Sequence, residues 1–174
     1  MHSVGNTLTG TPWWVYALFF YLMFIGFRAS QTRVVSLKKL CILPLILTYF
    51  SLHTLITVVK VDFYSVITLL IAGLVGVAIG WHYVNRFKIK VDKQKYLFEI
   101  PGTWSTLIVI LLIFVTKYYF GYEMAVNPAL VNHAGFEFAL LSVSGVFTGW
   151  FVGKLVAYLY KLRTGVSVEL NEIF

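Results

Sequence analysis

Three ionisable side chains stand inside or at the edge of apolar runs: His53, Lys117 and Glu137, with Glu123 just beyond the run that holds Lys117. A charged or titratable group in hydrocarbon is costly and marks a functional site unless a partner compensates it. At the helical rise of about 1.5 Å per residue all three fall at similar depth. An imidazole, an ammonium and a carboxylate so placed could form a solvent-accessible pocket that binds an anion or handles a proton. The structural alternative is that Lys117 snorkels outward or pairs with an acid to fix helix packing. Glu137 is the expected partner, because a helix N-terminus favours a carboxylate, and Glu123 is the next.

Other chemistries find little support. Cys41 is the single cysteine, so neither an internal disulfide, a paired redox motif nor a cysteine-rich metal site can form. His53 and His82 lie near opposite ends of adjacent runs and cannot share one iron; His53 with His133 could, without further context for a haem. No H-x-x-x-H or E-x-x-H pairing is present, nor a phosphate-binding glycine loop, a nucleophile elbow or a kinase signature. The expectation is a chain with no metal, no cofactor and no enzymatic activity.

The elements that would position these groups follow from composition. Of the 174 residues 59% are hydrophobic and 12% charged, and the mean hydropathy is +0.82. A soluble domain carries about a quarter charged residues, so this is an integral membrane protein of one domain. Apolar runs predict five spans, at about 8–27, 40–59, 63–84, 104–122 and 136–160. Thr11 and Pro12 suit the start of the first, with Trp13, Trp14 and Tyr16 at the headgroup level. The short connection Lys60-Val61-Asp62 makes spans two and three antiparallel neighbours. Gly73, Gly76 and Gly80 provide a small-residue face for helix packing, internal rather than between copies.

Between residues 86 and 100 the period changes from 3.6 to 2. Phe87, Ile89 and Val91 alternate with Lys88 and Lys90, and Tyr96, Phe98 and Ile100 alternate again beyond a polar tetrapeptide. This predicts a water-facing β-hairpin, its apolar face turned to the protein or lipid, between helices 3 and 4. Pro101-Gly102 ends it and Thr103 is placed to cap the next helix. The fold class expected is an all-α membrane protein, a five-helix bundle with a short cytoplasmic β-hairpin. The tail beyond Arg163 is expected to be mobile or weakly docked.

Charge sets the orientation. All of the 14 Lys and Arg except Lys60 and Lys117 fall on one side of the five spans. The positive-inside rule then puts the N-terminus outside and the hairpin and C-terminus in the cytoplasm. Arg86, Lys88, Lys90, Lys93 and Lys95 are candidates for contact with lipid headgroups, or simply topology determinants. The basic balance is explained by anionic lipid, so membrane lipids are the expected partner and nucleic acid is not. A second copy of the chain or another membrane protein stays open as a partner.

At Thr11-Pro12-Trp13-Trp14, Arg28, Arg33, Ser36-Leu37-Lys38-Lys39-Leu40, Pro44, Pro101-Gly102-Thr103-Trp104 and Ile113-Phe114-Val115-Thr116-Lys117-Tyr118 the chain resembles a family of small bacterial inner-membrane proteins catalogued as a domain of unknown function. It is more distantly similar to the CcdC-like cytochrome c biogenesis membrane proteins. The resemblance runs from the first helix through Tyr122. It implies a bacterial inner membrane and a helical bundle and brings no catalytic residues. Two roles from different classes therefore remain: a non-enzymatic scaffold or accessory protein, and a small carrier or channel subunit using His53, Lys117 and Glu137.

Overall fold

The computed structural model describes residues 13–59, 61–87, 89–165 and 167–169. Helices form over the apolar runs, named here α1 (Trp13–Ala29), α2 (Leu37–Thr57), α3 (Phe63–Asn85), α4 (Trp104–Val126) and α5 (Ala134–Thr164). A 3-10 turn, Pro128–Asn132, joins the last two. Four of the helices, α2 to α5, are long and apolar enough to cross a membrane. The described part of α1 is 17 residues long, and the expected start of its span at residue 8 lies outside the described residues. The 23 residues of α3 and of α4 span about 35 Å, against about 30 Å of hydrocarbon. Apolar side chains face outward along them: Leu70, Leu74, Ile108 and Leu112 are exposed, as a lipid solvent allows and water does not.

The 31-residue α5 is the central element, with 39% of its most apolar window buried against 11% for α4. It packs most closely on α3. A Cβ at Gly76 would run into the Val146 carbonyl, and one at Gly80 into the Trp150 carbonyl. From the other helix, a Cβ at Gly149 would meet the Gly73 carbonyl and one at Gly153 the Val77 carbonyl. These four glycines let two backbones touch where any side chain would hold them apart. Gly73 itself has room, its nearest neighbour being 4.0 Å away, so it lends the interface its carbonyl rather than its missing side chain. Helix α1 packs on α4, with Gly26 against Leu107. Helix α2 rests chiefly on α5 rather than on α3, its neighbour in sequence. The short connection brings their ends together without aligning their lengths.

A sheet closes one end. Strands β2 (Lys90–Asp92) and β3 (Leu97–Ile100) form a hairpin shorter than the expected 86–100, because Arg86 and Phe87 still bond back to the end of α3, and a third strand, β1 (Arg33–Ser36), from the α1–α2 connection pairs antiparallel with β3. The order is β1-β3-β2. Phe98 lies between Val35 and Val91, is 0% exposed, and centres a cluster with Val84, Ala157 and Tyr158. The expected apolar face is corrected at Tyr96, which is exposed. It has φ 53, at the exit of a turn in which the Asp92 carboxylate accepts the Gln94 and Lys95 N–H groups. That left-handed residue breaks the alternation, and Leu97 is buried instead. The tail is also docked further than expected: the Val168 N–H donates to the Val91 carbonyl, and Ser167 bridges beside β2. A second cluster at the far end joins α2, α4 and α5 through Leu55, Val59, Phe120, Leu140 and Leu141, with Val66 and Leu69 of α3 packed against it.

Candidate functional site

His53, Lys117 and Glu137 each end on a hydroxyl. On α2, His53 Nδ1 lies 3.2 Å from Thr57 Oγ1, one turn on and exposed. On α4, Lys117 Nζ donates to Ser144 Oγ of α5 at 3.0 Å, and Ser144 is 2% exposed. On α5, Glu137 Oε1 lies 2.5 Å from Ser65 Oγ of α3, also 2% exposed. Ser65 Oγ is in turn 2.5 Å from Asp62 Oδ1, which caps α3 by accepting the Ser65 N–H at 2.7 Å.

No ion pair joins Lys117 to Glu137 or Glu123 among the described residues; the ion pairs there are Lys90 with Glu99 and Lys95 with Glu169. The physical reason is depth. Ser144 lies seven residues along α5 from Glu137, about 10 Å at the helical rise, so the ammonium meets the helix well below the carboxylate. Glu123, half-buried near the end of α4, contributes its carbonyl to the Asn127 N–H. The carboxylate that Glu137 does approach, through Ser65, is Asp62. Its hydrogen bonds to Ser65, side chain and backbone, hold the Asp62 carboxyl below its usual 3.8. Among the described residues no three His, Cys, Asp or Glu side chains gather as a metal site would need.

At the sheet end, the hairpin cations are partly engaged by the protein. Lys90 faces Glu99 across the β2–β3 register at 3.2 Å. Lys93 Nζ donates to the Arg163 carbonyl at 3.1 Å, and Lys95 lies 3.8 Å from Glu169. Lys88 lies outside the described residues. Arg86 is the C-cap of α3 and its guanidinium is 3.1 Å from His82 Nε2, one turn back.

Beside it is a cluster that sequence reasoning passed over. The Tyr83 hydroxyl hydrogen-bonds to Thr103 Oγ1 at 3.0 Å and to Ser105. Thr103 does occupy the N-cap of α4, but its hydroxyl is turned to Tyr83 rather than to the helix. Lys154 of α5 holds its ammonium 5.3 Å from the Tyr83 ring centre and 5.7 Å from that of Phe151. A cavity of about 20 Å³, lined in part by Tyr83, Thr103, Lys154 and Tyr158, is of the size and polarity that suit one water molecule. Tyr83 near a helix end reads in sequence as an interfacial ring, so nothing there signals this cluster.

Neither the curated proteins nor the solved structures yield a match, so the likeness to CcdC-like proteins finds no support. One family model does match, over residues 4–164, nearly the whole chain, and the protein belongs to that family of unknown function, DUF6622.

Proposed function

We propose that this protein is a non-enzymatic accessory or scaffold protein of the bacterial inner membrane, with five spans, the N-terminus outside and the sheet in the cytoplasm. What supports the role is that His53, Lys117 and Glu137 end on three different hydroxyls, those of Lys117 and Glu137 joining one helix to another, instead of converging on a common cavity. The cation excess at the sheet end supports the orientation. Crosslinking in native membranes through a tagged full-length chain, followed by mass spectrometry, tests the role. A reproducible membrane-protein partner, lost when exposed residues of α2 such as Leu45 or Ile56 are changed to Ala, is the expected result; only nonspecific neighbours would count against it.

A small proton-handling carrier is the alternative, favoured by Asp62, Ser65 and Glu137. A hydroxyl has one proton, so Ser65 can hydrogen-bond to both carboxyl groups only when one of them is protonated. Proteoliposomes loaded with a pH-sensitive dye separate the two. Proton flux above that of protein-free vesicles, abolished by Glu137→Gln, would establish the carrier and remove the scaffold as the main role.

A further inference from the structure

Between α3 and α5, at the sheet end, an open groove of about 480 Å³ is lined by Ala78, Ile79, His82, Tyr83, Arg86 and Trp150. Its polarity is graded along α3. Arg86 and His82 stand at the rim, and Ile79 and Ala78 lie one to two turns deeper, about 12 Å below Arg86 at the helical rise. The Trp150 ring, 5.4 Å from that of Tyr83, walls the apolar part. A guanidinium is a good phosphate ligand, and the helix C-terminus on which Arg86 sits favours a cation. No ion pair among the described residues neutralises Arg86, in contrast to Lys90 and Lys95 of the hairpin. Its contact with His82 Nε2 leaves the other guanidinium donors for a ligand.

We propose that this groove binds one anionic phospholipid, its headgroup phosphate at Arg86 and His82 and an acyl chain along Ile79, Ala78 and Trp150. The direction of the gradient decides the ligand class. A lipid in the same leaflet presents phosphate at the interface and hydrocarbon below it, as the groove does; a free phosphate would leave the apolar two-thirds unused. The proposal rests on the helices crossing a bilayer and does not depend on the scaffold role.

The test is native mass spectrometry of the full chain in detergent micelles, titrated with phosphatidylglycerol and with phosphatidylcholine. Wild type should retain phosphatidylglycerol over phosphatidylcholine by about fivefold, the preference expected for one interfacial cation. Arg86→Gln should bring the ratio near one, and Arg86→Lys should keep most of it. Ile79→Trp, which fills the groove and leaves the charge, should reduce adducts of both lipids. Lys93→Gln should change nothing. An unchanged preference in Arg86→Gln, or unchanged adducts in Ile79→Trp, would overturn the proposal. So would displacement of the lipid by equimolar inorganic phosphate, which would make this a simple anion site. Should Arg86→Gln not fold, Ile79→Trp decides alone.

Discussion

At the sheet end two connections and the tail are tied by backbone hydrogen bonds around Phe98, whereas at the far end α2, α3, α4 and α5 meet through apolar side chains around Leu55, Phe120 and Leu140. The sheet end spreads its charges over exposed pairs and carbonyls, and toward the far end Lys117 and Glu137 each meet a buried serine hydroxyl. Backbone pairing fixes which segments meet. Apolar packing fixes how tightly they do so, and it tolerates polar groups only where a neighbour completes them. The difference explains why the carboxylates and the ammonium could be expected to pair and yet do not.

The largest effect should come from Phe98→Ala, at about 3–5 kcal/mol for a fully buried ring. It should also free the tail, seen as faster amide exchange at Val168, while Leu140→Ala at the far end should leave that exchange unchanged. Equal loss of protection in both variants would mean that the two ends are not held separately. Next, Gly76→Ala should cost about 1–3 kcal/mol by forcing α3 from α5, measured as a lower unfolding midpoint in detergent. Because the glycine contacts run between the two ends, both should suffer.

Ser144→Ala should cost about 1–3 kcal/mol by taking away the acceptor of the Lys117 ammonium. Adding Lys117→Met should recover much of that loss, and Glu137→Gln should not, which distinguishes this contact from a Lys117–Glu137 pair. The smallest effect concerns acid. A carboxyl held below its usual 3.8 stabilises the fold above that pH, and the contribution fades as pH falls through the lower folded value. Asp62→Asn should therefore lower stability modestly at neutral pH and flatten the acid limb below about pH 4, so that the two profiles converge in acid; an acid limb as steep as that of wild type would contradict the cap assigned to Asp62.

The helices were legible because long apolar runs leave few alternatives, and the hairpin because Phe87, Ile89 and Val91 alternate with cations. Strand β1 was not. Arg33-Val34-Val35-Ser36 is too short to show a period, and only pairing with β3 makes it a strand. Lys117 and Glu137 were found as unusual residues, but their partners, Ser144 and Ser65, are of a type too common in helices to draw notice. Which hydroxyl a charge reaches depends on the relative height of two helices, which for α3 and α5 is set by the close glycine contacts between their backbones and not by the charge. The Tyr83 and Lys154 cluster escaped for the same reason, since it joins residues of α3, α4 and α5.

Strand β1 also carries a consequence for biosynthesis. Ser36 pairs with Leu97, and the tail that flanks β2 follows the last helix, so the first connection to leave the ribosome must wait for the end of the chain before the layer at that end is complete. Until β3 emerges, the polar edge of β1 that it will cover is open to water, to chaperones or to another nascent copy. Once closed, the layer joins segments that follow α1, α3 and α5, so the C-terminal ends of those three helices must meet at one end of the molecule. A helix turned end for end would leave its segment out of reach of the layer, so this small sheet can close on only one arrangement of the three helices.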